Sequence, residues 1–505
     1  MKLRLEGHDY KYAVEQILLA LFPNERPEYG GEEKTPQSQL SVKSTLRIGE
    51  QLAAATALIT DGEGKRFRGE ARIPVEKFTQ NAALTTEKSR EVARSRELQK
   101  IVKLAFYRAA VKMTGTTPDW GALTGIRPST LLSRMLETHS ERAAVAKFRS
   151  EYFVSRERAE LCLDAARAEL KVRKSLAPQD VAVYIGIPFC PTRCAYCSFV
   201  SQSVEKTAKL IPPYLDALQR EIEATGRVIA GLGLRVTSLY IGGGTPTTLD
   251  ARQLAELLDT LNARLDLSHL LEYTVEAGRP DTITREKLQI MREHGATRVS
   301  VNPQSMEQRV LDAIGRRHTP EDVLNAIDDA RDAGFKCINA DLIAGLPADD
   351  VHGFKSTLDV IKSLNLPNVT VHTLALKKGS TLKLEGAARL PTGDEVRAML
   401  DYANTTLRRN GFKPYYLYRQ KYMSGGFENV GWSQAGYEGL YNIVMMDELC
   451  SVFALGGGGV TKIVTPDGRL MRIFNPKYPY EYVSGIEQII AKKLSILPDS
   501  ANYEY

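Results

Sequence analysis

Cys190, Cys194 and Cys197 stand in the run Cys-Pro-Thr-Arg-Cys-Ala-Tyr-Cys. This C-x3-C-x2-C spacing puts three thiolates on one short loop. Soft thiolates suit iron–sulfur chemistry, and three of them can hold three irons of a cubane cluster while the fourth iron keeps no protein ligand. An open iron is a place where a small molecule can bind and react. Structural zinc wants four ligands, usually as two separated pairs, and the remaining cysteines, Cys162, Cys337 and Cys450, supply no second pair. A disulfide framework is not expected from six cysteines in 505 residues, since the polar opening Met1-Lys-Leu-Arg-Leu-Glu-Gly-His-Asp carries no secretory signal. Free thiols holding a cluster fit a reduced, cytoplasmic setting.

The cluster loop needs a rigid element to present it. Val181-Ala-Val-Tyr-Ile-Gly-Ile187 reads as a buried strand that feeds the loop from its C-terminal end, the end where β/α barrels place their chemistry. From residue 181 short apolar strands alternate with helical stretches, the pattern of a parallel sheet with crossover helices. The strands are expected at Val181–Ile187, Val236–Ile241, Leu271–Glu276, Thr297–Val301, Lys336–Leu342 and Val369–Ala375, with helices such as Arg252–Arg264 and Glu321–Ala333 between them. The expected fold is α/β: a partial (β/α)6 TIM-like barrel over 176–385, an N-terminal α+β accessory domain over 1–175, and a small C-terminal α+β domain over 386–505 that covers the substrate.

Before the barrel, Tyr12–Leu21 and residues 86–113 read as helices, and Leu52–Thr60 with Arg66–Ile73 read as a hairpin around Asp61-Gly-Glu-Gly. Ser175–Asp180 reads as a linker. After residue 385, Asp394–Asn410 reads as a helix and Tyr415 to Asn442 as irregular structure. Val452–Thr461 reads as a strand ending in a glycine loop, and Val464–Ile473 as a hairpin.

The composition is that of an ordinary soluble globular chain, 25% charged and 43% hydrophobic, with no apolar run long enough to span a bilayer. A formal charge of +6 suits an anionic substrate but is too small by itself to argue for nucleic acid.

Each expected barrel strand ends in polar residues or glycine. Ile241 leads into Gly242-Gly-Gly-Thr-Pro246, where consecutive glycines let a ligand approach the backbone, although a tight turn made for packing reads the same way. The third strand ends at Glu276, a carboxylate able to accept from ribose hydroxyls. The fourth leads to Asn302-Pro-Gln304, Arg316 follows, and the fifth carries Asp341. Singly each could be a cap, a turn or a surface ion pair; together at one end of one barrel they mark a site.

With these residues in hand, the chain resembles the radical S-adenosylmethionine (SAM) superfamily and, within it, the oxygen-independent coproporphyrinogen III dehydrogenase group. The resemblance rests on Tyr184–Cys190, Cys194, Cys197, Gly242–Thr247, Glu276, Asn302–Ser305, Ile314–Arg316 and Asp341–Pro347. Leu123–Pro128 and Ala454–Lys462 resemble the HemZ branch. It implies that Cys190, Cys194 and Cys197 ligate a catalytic [4Fe–4S] cluster and that one or two SAM molecules bind. Gly243 and Gly244 would contact the SAM methionine moiety, with Thr245 beside them, and Glu276 would contact the ribose. Tyr184 and Tyr196 would pack near SAM; Gln304, Arg316 and Asp341 would complete the pocket or hold a second nucleotide moiety. It further implies a 5′-deoxyadenosyl radical that takes hydrogen from a propionate β-carbon, so that coproporphyrinogen III loses carbon dioxide twice and becomes protoporphyrinogen IX. The implied partners are an anionic tetrapyrrole and a reductase such as flavodoxin or ferredoxin, with no membrane and no nucleic acid; a monomer is expected.

Cations for the tetrapyrrole carboxylates are sought at Arg316, Arg317, Lys377 and Lys378; Arg90, Arg94, Lys100, Lys103 and Lys112 read instead as a solvated helix face. The sequence departs from the dehydrogenase pattern at Phe199, where the prototypes carry a fourth cysteine; the haem-chaperone relatives share this departure. Residues 418 to 442 hold no histidine, and His318 and His372 read as hydrogen-bonded barrel or loop histidines. A haem-binding chaperone of the same fold, a radical SAM enzyme acting on another tetrapyrrole, and, more remotely, a nucleic-acid modifier are the other readings.

Overall fold

The computed structural model describes residues 1–22, 25, 27–29, 40–78, 87–376, 380, 389–420, 424–465 and 469–497. The chain forms two compact units, Met1–Leu163 and Asp164–Tyr505.

In the first unit, strands β1 (Lys2–Glu6), β2 (Glu28–Tyr29), β3 (Ser41–Ile48), β4 (Leu52–Thr60) and β5 (Arg66–Pro74) make one sheet in the order β2-β1-β3-β4-β5. The expected hairpin is β4–β5. Its turn is fixed by the Asp61 carboxylate, which accepts from the Glu63 and Lys65 amides at 3.0 and 2.9 Å, and by Gly64 at φ +82°. Strict alternation along β4 buries Ala53, Ala55, Ala57 and Ile59 against the helix Glu87–Thr114. Gly69 on β5 lets that helix lie close, because a Cβ there would stand 2.1 Å from the Ala105 carbonyl oxygen.

The second unit carries β6 (Asp180–Ile187), β7 (Phe189–Cys190), β8 (Gln202–Ser203), β9 (Arg235–Gly243), β10 (Glu272–Gly278), β11 (Arg298–Val301), β12 (Cys337–Ala344), β13 (Asn368–Thr373), β14 (Lys413–Arg419), β15 (Glu428–Ser433), β16 (Ser451–Leu455), β17 (Val460–Val464) and β18 (Leu470–Phe474). The six strands read from the sequence are β6 and β9 to β13, all parallel and hydrogen-bonded in chain order. Among the described residues the sheet does not close. β13 pairs instead with antiparallel β15, and β6 with parallel β16, so the segment after residue 385 supplies both flanks. The stretch from Tyr415 to Asn442 is thus not irregular. It holds β14, β15 and the start of the helix Leu440–Asp447. Its strand signal was hidden because β15, Glu-Asn-Val-Gly-Trp-Ser, is buried on both faces and so shows no apolar–polar alternation.

The crossover helices carry clear start signals. Asp250 and Thr319 each close a capping box, with Gln253 and Asp322, ahead of the helices Ala251–Arg264 and Pro320–Asp332. Thr392 does the same with Glu395 for Gly393–Arg409. Among the described residues no helix is long and apolar enough to cross a membrane.

The loop Gly456–Gly459 is tied to the helix Ile211–Gly231 by a buried network. Glu221 accepts from the Gly456 amide (2.8 Å), the Tyr482 hydroxyl (2.6 Å) and Asn475 Nδ2 (2.8 Å), and its charge is met by Lys493 Nζ at 3.3 Å. Lys493 also donates to the Ala454 carbonyl and to Thr461 Oγ1. Tyr214 bridges the same loop to β6, donating to the Gly186 carbonyl and accepting from the Gly457 amide. This fixes the strand that leads into the three cysteines.

Candidate functional site

Along β10 to β13 polar residues recur at every second position facing one side. Thr274 and Glu276 on β10, Arg298 and Ser300 on β11, Asn339 and Asp341 on β12, and Asn368, Thr370 and His372 on β13 all line one cavity of about 380 Å³. The alternate residues, such as Val275, Val299, Ala340 and Val371, are buried apolar side chains. The pleat thus turns the polar set inward and the apolar set toward the helices. The inner set is cross-bonded: Thr370 donates to Asn339, Asn339 donates to Ser300 and Asp341, and Ser300 donates to Asn302.

The three cysteines reach the C-terminal mouth of this cavity. All are free thiols. Their loop is pinned by the Ala195 amide on the Ile314 carbonyl (3.0 Å) and the Gln202 amide on the Pro188 carbonyl (2.9 Å). Burial raises the Cys190 thiol and pushes Cys197 up to about 11. Both are protonated at neutral pH until metal draws the proton off, so loading must release protons. Donors already face the sulfurs: Thr245 Oγ1 lies 3.6 Å from Cys190 Sγ, and Arg279 Nη1 lies 3.7 Å from Cys194 Sγ. Among the described residues no three His, Cys, Asp or Glu side chains converge on one point. Cys190, Cys194 and Cys197 line the cavity, and among its described lining residues there is no fourth cysteine; three thiols fit a polynuclear cluster with one open iron, in which each sulfur takes its own iron.

The glycine run has a packing role the sequence left open. A Cβ at Gly244 would stand 2.5 Å from the Phe189 carbonyl oxygen, and one at Gly242 would stand 2.7 Å from Glu276 Oε2. Gly243 takes φ +112°, a conformation that favours glycine. The missing side chains therefore make room for the cluster loop's backbone and for the Glu276 carboxylate. Gly243, Gly244 and Thr245 all line the cavity.

Glu276 is the most perturbed carboxyl of the cavity. Burial pushes it up to about 7; the Tyr240 hydroxyl, which donates at 2.5 Å, opposes this, Asp341 reinforces it, and the Gly243 amide and His372 oppose it further. Asp341 behaves differently. Burial works to raise it, but His372, at 3.7 Å, with Asn339 and Thr370, holds it below the usual carboxylate range. Burial likewise works against charge on His372, and Asp341 overcomes it, so His372 is raised. The cavity thus holds one carboxyl that titrates near neutrality beside one that stays ionised.

Gln304 is buried with its backbone at φ +69°, held there by its amide on the Asp341 carbonyl (2.9 Å) and by the Ile343 amide on its own carbonyl (3.1 Å). Its side-chain Oε1 has no hydrogen-bond partner among the described residues. A strained non-glycine residue with an orphaned buried acceptor fits a wall that expects a ligand. Arg316, also buried, donates to the Asn302 carbonyl (2.7 Å) and the Tyr196 hydroxyl (3.0 Å), so Tyr196 and Arg316 form one wall beside the cysteines.

Of the residues expected at the site, Cys190, Cys194, Cys197, Tyr196, Gly243, Gly244, Thr245, Glu276, Gln304, Arg316 and Asp341 share this cavity. Tyr184 stands behind it, its ring stacked on Tyr240 and Tyr441 at 6.2 and 6.1 Å. Arg317 is on the surface, paired with Glu205 at 2.7 Å; Lys377 and Lys378 lie outside the described residues. His318 is fully buried and pushed down to about 4 by desolvation, whereas His372 faces the cavity. In the first unit Lys100 pairs with Glu151, Lys103 donates to Thr124 and Lys112 donates to the Arg68 carbonyl.

Arg279 and Tyr240 were not anticipated. Arg279 is 2% exposed and clamped by two hydrogen bonds to Asp281 (3.0 and 2.8 Å), which aims Nη1 at Thr192 and Cys194. The available signal was positional: Arg279 follows Gly278 directly past a strand end, and Tyr240 lies two residues before Gly242 on an inward position.

Residues 184–361 match the radical SAM superfamily. Over 390 residues the chain is 37% identical to the oxygen-independent coproporphyrinogen-III oxidase-like protein HemZ of Bacillus subtilis, covering 76% of this chain and 78% of that protein. It is 32% identical over 267 residues to the heme chaperone HemW of the same organism, covering 51% of this chain and 68% of that protein. Among solved structures, coproporphyrinogen III oxidase (HemN) of Escherichia coli matches with a TM-score of 0.51 at 21% identity, over 64% of this chain and 72% of that one, which shows a shared fold.

Proposed function

Because this chain belongs to the radical SAM superfamily, in the branch of the oxygen-independent coproporphyrinogen-III oxidase-like proteins, we propose that it converts propionate side chains of coproporphyrinogen III to vinyl groups without oxygen. The cofactors are a [4Fe–4S] cluster and SAM. Cys190, Cys194 and Cys197 would hold the cluster, and Glu276, Gly243, Gly244, Thr245, Gln304 and Asp341 the SAM. When bound and reduced by one electron, these groups supply a carbon-centred radical able to remove a hydrogen atom from an unactivated carbon. Each turnover would take one hydrogen atom and one electron from the propionate and release carbon dioxide; the electron requires a one-electron acceptor.

The residues of this chain orient and enclose. The Glu276 carboxylate, beside the Gly243 amide, would accept from a vicinal diol, and the unpartnered Gln304 Oε1 would accept from a ligand N–H. Arg316 and Tyr196 form the wall next to the cysteines, and the stacked ring pair Tyr240–Tyr441 (4.5 Å) packs beside the carboxylate. A cavity set between the strands would hold reactive carbon away from bulk water. The observation that carries the reading is the meeting of the cysteine loop, the glycine run and Glu276 in one cavity at the C-terminal ends of six parallel strands.

One observation favours a second reading, a haem-binding chaperone: Phe199, the residue two past Cys197, is 68% exposed at the rim of the cavity. An exposed aromatic there suits a flat macrocycle held without turnover. The test is anaerobic reconstitution with iron and sulfide, then incubation with coproporphyrinogen III, SAM and a reductant. Formation of 5′-deoxyadenosine together with a vinyl product supports the dehydrogenase. Neither product, with stoichiometric haem binding and transfer, rejects it in favour of the chaperone.

A further inference from the structure

Among the described residues the helices Lys11–Leu21 and Glu87–Thr114 pack on one face of the first unit's sheet, and the other face is exposed and basic. The register lays that face out in rows. Glu28, Lys2, Ser41, Thr60 and Arg66 form one; Arg4, Lys43, Leu58 and Arg68 the next; Glu6, Thr45, Thr56 and Glu70 the third; Arg47, Ala54 and Arg72 the last. All seven basic residues are exposed. Glu6 is met by Arg4 at 3.0 Å and Lys43 at 2.9 Å, while Glu70 is met by Arg68 and by Arg72 at 3.4 Å. Three carboxylates, Glu6, Glu70 and the exposed Glu28 beside Lys2, among seven cations leave an excess of four positive charges on one face of a chain whose formal net charge is +6.

The charge is arranged as well as concentrated. Strand β4, between β3 and β5, shows Leu52, Ala54, Thr56, Leu58 and Thr60 on this face and no charge. Cations rise on both sides of it, from β1 and β3 on one flank and from β5 on the other. β3 and β5 are two strand spacings apart, so the neutral floor is roughly 10 Å wide, and inward or outward positions recur about every 6.6 Å along each ridge. The β5 ridge continues past the sheet edge, where Arg108 and Lys112 of the helix Glu87–Thr114 donate to the Glu70 and Arg68 carbonyls.

We propose that this face binds single-stranded nucleic acid through its phosphates, without reading sequence. The proposal stands on the first unit alone and is independent of the reaction assigned to the barrel. A phosphate backbone needs cations at regular spacing and nothing more. A folded acidic protein would need an apolar or aromatic anchor at the centre of its footprint, and the middle of this floor offers only half-buried Leu58, with the exposed Leu52 lying at its end past Ala54. The expectation of no nucleic-acid partner rested on the mild overall charge and the absence of stacking aromatics. It did not see that cations from residues 2 to 72 are gathered onto one surface.

The test uses the full-length protein and a fluorescein-labelled, mixed-sequence RNA strand of about 20 nucleotides, read by anisotropy across about 50 to 200 mM salt. Binding should weaken with salt by about 0.7 log unit per log unit of salt for each phosphate neutralised. Arg47→Ala/Arg66→Ala/Arg68→Ala should weaken binding by at least about tenfold and reduce the salt slope by about 2. The Lys triple at the same positions should retain binding, and Arg220→Ala/Arg252→Ala/Arg285→Ala in the second unit should change nothing. Wild-type protein that binds no better than its Ala triple, or that binds anionic-lipid vesicles but not RNA, overturns the proposal.

Discussion

Glu276 makes the sharpest quantitative demand on the site. Its carboxyl sits at about 7 because burial outweighs the Tyr240 and Gly243 hydrogen bonds. Only the ionised form offers acceptors to both hydroxyls of a ribose. With that value, about nine-tenths of the carboxyl is ionised at pH 8 and about one-tenth at pH 6, so SAM affinity should fall about tenfold across that interval. Folding carries the opposite sign. Between about pH 4.5 and 7 the folded protein holds a proton on Glu276 that the unfolded chain has lost. That contribution is fully present below the unfolded value and is lost as pH rises through about 7, about 3 kcal/mol in all. Glu276→Gln keeps an acceptor for Tyr240 and cannot titrate. It should bind SAM about ten- to a hundredfold more weakly at pH 8, through loss of a charge-assisted hydrogen bond, and its affinity should vary less with pH. Anaerobic equilibrium dialysis of labelled SAM against the reconstituted protein at pH 6, 7 and 8 reads the first effect, and denaturant unfolding of the apoprotein reads the second. The reasoning is refuted if wild-type affinity is flat over this range, or if Glu276→Gln keeps the full wild-type slope.

Further outcomes test other parts of the site. Cys194→Ala should lose most of the iron retained after reconstitution, measured by iron and sulfide content, while its far-ultraviolet circular dichroism stays native. Gly242→Ala puts a methyl group 2.7 Å from Glu276 Oε2 and 2.9 Å from the Tyr240 ring, so SAM binding should fail with cluster content unchanged; retention of affinity would show that the carboxylate has room to move. Arg279→Gln removes the clamped donor behind Cys194 and should cut cluster retention against a chelator about ten- to a hundredfold, and lower the cluster's midpoint potential as read by electron paramagnetic resonance. Lys493→Ala leaves the Glu221 carboxylate buried without its cation and should cost about 3–5 kcal/mol in urea unfolding; a loss below about 1 kcal/mol would show that the pair contributes little.

The basic face and the radical site illustrate two kinds of legibility. Cysteine spacing, the glycine run after Ile241 and Glu276 at a strand tip are local, because the chemistry needs particular residue types a fixed few positions apart. The six parallel strands were legible for the same reason: short apolar runs, turn residues and capped helices repeat along the chain, and each predicted strand lies within a few residues of the one observed. Inside those strands the polar alternation of Glu272-Tyr-Thr-Val-Glu276 was also written in the sequence, and it placed residues of the cavity wall that went unread.

What the sequence determined, then, was the inventory of candidate ligands and the order in which parallel strands present them, since both are carried by periodicity and spacing within a few tens of residues. Tertiary structure alone decided the partners that register brings from afar: Arg279 aimed at Cys194 across the mouth of the cavity, the flanking of the parallel strands by β15 and β16, and seven cations drawn onto one face of a sheet. Cross-strand register depends on which strands meet, and no local pattern of side chains specifies that.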